Sequence, residues 1–155
     1  MKIAIAADWA GFPLKEAIKT FLVEKGHEVT DMGMVDPSER VTYIKGADAV
    51  AKAIQEGRAE RGFLFCGTGM GMSIVANKHK GVYCALVESY WAARMSRIIN
   101  NANVLAMGNS IVGASMAKEI ADIFLNTEFT EGKPEIKQLL EDLTGEVRDF
   151  ENSVL

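Results

Sequence analysis

The chain has little with which to hold a metal or a disulfide. It carries two cysteines and two histidines in 155 residues. Cys66 and Cys84 give no disulfide framework, and no Cys/His cluster has ligand spacing, so no metal site is expected. Positive charge is not in excess either. Lys and Arg number 17 against 21 Asp and Glu, a net charge of −4, which argues against a general nucleic-acid surface. An anionic ligand would have to be met by local donors. No apolar run reaches the length of a membrane span, so no membrane partner is expected. With three prolines there is no Pro-rich linker, and no low-complexity tract or internal repeat is visible. Met1-Lys2-Ile3-Ala4-Ile5 runs straight into a strand with no cleavable leader pattern. Together with the unpaired thiols, this sets the expectation of a reducing, cytoplasmic setting.

What is present is an ordinary globular composition, 48% hydrophobic and 25% charged, in a chain long enough for one domain with a sizeable core. Strand-like and helix-like segments alternate from end to end. Strands are expected at 2–7, 28–32, 62–65, 82–87 and 104–107. Helices are expected at 13–25, 47–56, 72–78, 89–99 and 114–125, several of them stopped by glycine. Short connections between five such units predict an α/β, doubly wound, five-stranded parallel sheet of Rossmann-like form with helices on both faces. In the strand reading of Val82–Val87, Cys84 is expected to be an inert core thiol.

The most informative segment is Cys66-Gly67-Thr68-Gly69-Met70-Gly71-Met72-Ser73. A short apolar run, Phe63-Leu64-Phe65, places a thiol at the end of a strand, against a glycine-rich turn that opens a helix. Glycine leaves the turn's N–H groups bare, and a helix N-terminus adds positive potential there. Both favour a thiolate at Cys66. The glycines at 67, 69 and 71 do not have the dinucleotide-binding spacing, and no Gly-Lys-Ser/Thr ends the loop as in a phosphate-cradling P-loop. Two readings remain: a tight turn beside an inert cysteine, or an anion-binding or catalytic loop. In a parallel sheet the ligand lies beyond the carboxyl ends of the strands. That rule gathers Asp8, the Cys66 loop, Glu88 and Gly108-Asn109 on one edge.

The chain divides into a domain of residues 1–133 and a tail of residues 134–155. In the tail Ile136, Leu139, Leu140, Leu143, Val147 and Phe150 recur at helical spacing, with charge on the other face. A domain complete at Leu125 has little surface left to need this stripe. The tail is therefore expected to be a C-terminal helical extension on a partner subunit, the alternative being its own domain.

The run from Cys66 to Lys78 resembles the signature of the ribose-5-phosphate isomerase B and galactose-6-phosphate isomerase family. The likeness continues through Asp8-x-Ala10-Gly11, Ala93-Arg94-x-Ser96-Arg97, Asn100-x-Ala102-Asn103 and Leu125-Asn126-Thr127-Glu128-Phe129. It covers residues 1 to about 133. The resemblance implies an aldose–ketose isomerase without a cofactor, a small-molecule sugar or sugar phosphate as substrate, and a homodimer or homotetramer with sites across the dimer interface. It makes Cys66 the base that moves a carbon-bound proton through an enediolate. The N–H groups of Gly67, Gly69, Met70 and Gly71 then hold the oxyanion, and Thr68 offers a hydroxyl. Asp8, Tyr43 and Asn100 match substrate-binding positions. The side chains of Met70 and Met72 read as packing residues.

Four positions depart from the family. Trp9 replaces a histidine that helps hold the phosphate. Ile99 replaces a histidine that opens the sugar ring. Ser110 stands where an arginine is usual. Beyond Phe129 the arginine-rich segment is replaced by one in which Lys133 and Lys137 keep some positive charge, as point charges rather than bidentate forks. Proton transfer is retained while ring opening and phosphate gripping are rewritten. Three substrate readings follow: a shorter, four-carbon sugar phosphate, a sugar without phosphate, or ribose 5-phosphate with compensating neighbours. Two rivals stand outside this class: a non-catalytic partner subunit, and a flavin- or nucleotide-binding sheet protein. Glu88 has two readings, a ligand for a substrate hydroxyl or a helix cap. Tyr90 and Trp91 are expected at an interface.

Overall fold

The computed structural model describes all 155 residues. Five parallel strands, β1 (Lys2–Ala7), β2 (Glu28–Asp31), β3 (Arg61–Cys66), β4 (Cys84–Leu86) and β5 (Val104–Gly108), form one sheet in the order β2-β1-β3-β5-β4. They alternate with α1 (Phe12–Glu24), α2 (Tyr43–Gln55), α3 (Met70–Ala76), α4 (Tyr90–Ile98) and α5 (Ala114–Asn126). A 3₁₀ turn (Pro134–Ile136) leads into α6 (Lys137–Val154). The expected doubly wound sheet is observed.

Strand alternation sorts the side chains to two faces. Ile3, Ile5, Phe63, Phe65, Leu105 and Met107 pack with α1 and α5, where Phe63 meets Phe124 edge-on at 5.7 Å. Ala4, Ala6, Leu64, Cys66, Val104 and Ala106 face α2 and α3. The second face is rich in alanine, so α2 and α3 lie close to the sheet and to each other. The chain reverses direction across the sheet between β1 and β3, and the carboxyl ends of these strands carry Asp8 and Cys66.

Several boundaries differ from expectation for local reasons. Helix α2 starts at Tyr43, not at 47, because Thr42 caps it by accepting from Lys45 N–H at 3.3 Å. Helix α3 starts at Met70, because Gly69 adopts a left-handed conformation (φ 77°) that turns the chain directly into it. Strand β4 has three residues rather than six and lies at a sheet edge, so it is not a buried strand. Cys84 is only partly buried, yet it packs against the α2–α3 cluster, and burial pushes its thiol up to about 12. The tail is helical as expected and rests lightly on its own domain. Glu151 accepts from Gly81 N–H (2.8 Å) and Tyr83 O–H (3.3 Å), and Leu140 alone of α6 is buried. Leu139, Leu143, Val147, Phe150 and Val154 remain exposed. No helix is long and apolar enough to cross a membrane.

Candidate active site

At the carboxyl edge, Cys66 ends β3 almost fully buried. Its Sγ accepts a hydrogen bond from Gly69 N–H at 3.0 Å. The Met70 N–H points at Thr68 Oγ1 at 3.4 Å. Gly71 and Met72, in the first turn of α3, make no N–H bond within the chain. These are the orphan donors that every helix start leaves. The expected oxyanion donors are thus divided: Gly69 is committed to the sulfur, while Gly71 stays available.

Glycine is required here by close approach. A Cβ at Gly69 would lie 2.6 Å from Leu86 Cδ1 and 3.0 Å from the Met107 carbonyl carbon. One at Gly108 would meet Thr68 backbone at 2.6 Å. The turn after β5 is stitched to the cysteine loop by Asn109 N–H to Cys66 C=O (2.9 Å) and Ser110 N–H to Gly67 C=O (3.0 Å). Tyr43 packs its ring over Gly71, where an added Cβ would sit 2.9 Å from the ring.

Asp8 prolongs β1, its N–H bonding Phe65 C=O at 3.2 Å. Its Oδ1 accepts from the N–H groups of Ala10 and Gly11, both at 3.0 Å, which fixes the turn carrying Trp9. Asp8, Trp9 and Tyr43 line an open cleft of about 790 Å³, closed on its far side by residues 37–44. Trp9 is 76% exposed, so in one chain it walls the cleft rather than plugging it. Arg40 is the one cation in this lining, beside the carboxylates of Asp8 and Glu39. No sequence motif singles out Arg40. Its signal was position: it lies three residues before Tyr43, on the segment that closes the cleft.

Met72 is core, as expected, whereas the Met70 side chain is half exposed at the site. Glu88 is exposed and is not the cap, since Ser89 Oγ caps α4 by accepting from Ala92 N–H at 3.1 Å. Tyr90 and Trp91 are exposed beside it. His79 bridges two helices: Nε2 lies 2.9 Å from Asp48 Oδ1 on α2 and Nδ1 3.2 Å from Val75 C=O.

The remaining candidates are not brought to Cys66 within one chain. Helices α4 and α5 run back antiparallel to the strands, so their ends lie at the amino edge. Asn100 and Ile99 follow α4 there and line a small cavity beneath α6 with Tyr83, Leu140, Leu143 and Val147. Thr130 N–H bonds Ile98 C=O at 3.1 Å, which places the segment bearing Lys133 and Lys137 at the same edge. Lys137 is exposed, 3.8 Å from Glu141. A strand's length, roughly 15 Å, separates this group from Cys66. Arg97 is structural: it bonds the carbonyls of Thr127 (3.2 Å) and Ala102 (2.6 Å), and burial brings its guanidinium down to about 10.

A thiol held by a backbone donor, free N–H groups at a helix start and a neighbouring cleft lie together at the carboxyl edge, where parallel sheets place their ligands. Comparison with known proteins agrees. Residues 3–142 match the family model described as Ribose/Galactose Isomerase, and the chain belongs to that family. It is 48% identical over 138 residues to the 4-deoxy-4-sulfo-D-erythrose isomerase of Clostridium sp. (strain MSTE9), covering 89% of this chain and 87% of that protein. It is 42% identical over 132 residues to the D-erythrulose-4-phosphate isomerase of Pectobacterium atrosepticum, covering 85% and 87%. The solved ribose-5-phosphate isomerase B of Clostridium thermocellum superposes with a TM-score of 0.91 at 38% identity, each chain covered completely. The protein is a sugar-phosphate isomerase of the aldose–ketose type.

Proposed function

We propose that this chain interconverts a four-carbon aldose and ketose bearing a terminal anion, a 4-phosphate or its sulfonate counterpart. Cys66 thiolate takes the proton from C2 of the aldose, giving an enediolate. Protonation at C1 and transfer of the hydroxyl proton from O2 to O1 complete the ketose. Gly71 N–H and its neighbours meet the developing oxyanion, and Thr68 meets a substrate hydroxyl. Asp8 binds hydroxyls from the turn it already braces. Arg40 receives the terminal anion.

The observation that carries the four-carbon reading is Ile99. A pentose phosphate is mostly cyclic and needs a proton carrier to open it, and isoleucine carries none. A tetrose 4-phosphate has its terminal oxygen blocked and cannot close a furanose ring. The names of two relatives, both four-carbon sugar isomerases, support this reading. The relative with a solved structure is named for ribose 5-phosphate and supports the longer substrate.

The split of the candidate residues between two sheet edges supports a site completed by a second copy, which supplies the Ile99–Asn100 segment, Lys133 and Lys137 to the partner's Cys66 loop. The exposed stripe of α6 fits the same assembly. The test is a screen of the isolated protein against four-, five- and six-carbon aldose and ketose phosphates and a four-carbon sulfonate. Turnover led by the four-carbon compounds supports the reading. Binding without turnover would make the chain a partner subunit.

A further inference from the structure

We propose that Lys15 is a positioning residue that sets the width of the substrate cleft; the substrate side of this inference rests on the four-carbon reading above. Lys15 is fully buried on α1, four residues after the turn carrying Gly11. Its ammonium bonds Asp31 Oδ2 at 2.5 Å and the Met34 carbonyl, lies 2.9 Å from Glu16 and sits over the Phe12 ring at 4.9 Å. This is a costly place for a cation. The site is desolvated, and it lies near the positive end of a helix dipole. A buried ion pair is weak evidence for stability, so another role is indicated.

Its partners show that role. Met34 is the last fixed point before the far wall of the cleft. Its N–H bonds Ala7 C=O at 3.1 Å, beside Asp8. The backbone at Gly33 passes so close to β1 that a Cβ there would sit 2.4 Å from Ala7 N. The next fixed point is Thr42, the cap of α2. Between them runs the segment with Arg40, which lines the same cleft as Trp9. Lys15 therefore ties the helix that follows Trp9 to the root of the opposite wall. Loosening the tie lets the wall move outward from Trp9 and admits a longer substrate.

The test is Lys15→Met, read in two ways. The first is the ratio of kcat/KM for D-erythrose 4-phosphate to that for ribose 5-phosphate. It is expected to fall by ~10-fold, with KM moving more than kcat, because Lys15 touches neither substrate nor Cys66. The second is independent of activity: limited trypsin cleavage after Arg40 relative to cleavage after Arg58. The Arg40 cut is expected to accelerate at least ~10-fold while the Arg58 cut holds, as for a local opening. An unchanged ratio, or equal acceleration at both sites, overturns the proposal and leaves Lys15 a stability residue. If wild type turns over neither sugar, the four-carbon reading fails, and the trypsin comparison alone decides whether Lys15 holds the wall. Should Lys15→Met not fold, the double variant Lys15→Met/Asp31→Leu removes a carboxylate then left with Lys19, at 2.9 Å, as its one ammonium partner, and carries the same readouts. Failure of both to fold also overturns the proposal.

Discussion

The backbone N–H of Gly69 donates to Cys66 Sγ at 3.0 Å, from a residue whose φ of 77° only glycine adopts without strain. Thiol and turn are therefore one unit. The left-handed residue that starts α3 also aims a donor at the sulfur.

Cys66→Ala is expected to lower turnover by at least ~10²-fold, the low end for a positioned base. The fold should persist, since the thiol lies at a strand end. Near-normal turnover in a well-folded variant would remove Cys66 from the mechanism.

Gly69→Ala is expected to cost about 2 kcal/mol or more of stability, from the left-handed backbone and from crowding against Leu86 and Met107. Activity should fall as well, because the N–H of residue 69 shifts from Sγ. Urea unfolding together with kcat checks both. A stable, active variant would show that the turn tolerates a side chain.

A tetrose or tetrulose 4-phosphate is expected to exceed ribose 5-phosphate in kcat/KM by at least ~10-fold, about 1.4 kcal/mol of transition-state preference. Equal turnover of ribose 5-phosphate would mean that some group elsewhere in the site opens the ring, since Ile99 cannot. Arg40→Ala should raise KM for the phosphate substrate by ~10-fold or more, in the range of a lost charge-assisted hydrogen bond. An unchanged KM would place the anion elsewhere.

Removing the tail before Pro134 is expected to shift the protein to smaller species in sedimentation, because it deletes the exposed Leu139, Leu143, Val147 and Phe150 face. If size is unchanged and only the melting temperature falls, α6 serves its own domain through Leu140 and Glu151.

Alkaline pH should act through Cys84. Burial raises this thiol from 9.0 to about 12, so the folded state keeps a proton that the unfolded chain releases. The associated stability is fully present below pH 9 and is lost as pH rises toward 12. Wild type should therefore lose urea stability more steeply than Cys84→Ala across that window. Parallel slopes would show that Cys84 does not govern the alkaline limb.

By itself the sequence determined the order of strands and helices, the parallel sheet and the glycine loop. Each of these is written in local signals: apolar runs, helix stops and glycine spacing act over a few residues. The same locality explains the boundary errors at Tyr43 and Met70, where a single cap or one left-handed glycine moved a helix start. Tertiary structure alone decided which residues share a place. Asn100 reads as a companion of Cys66, and Lys133 and Lys137 as residues a partner's tail supplies; the antiparallel return of α4 and α5 carries all three to the opposite edge of their own chain. Tyr43 meets Gly71, and Lys15 meets Met34, only because α2 and the β2 turn cross the end of β1. A lysine in an amphipathic helix reads as solvated. Its burial was set by Asp31 and the Met34 carbonyl, partners distant in sequence that meet it only once the sheet has closed.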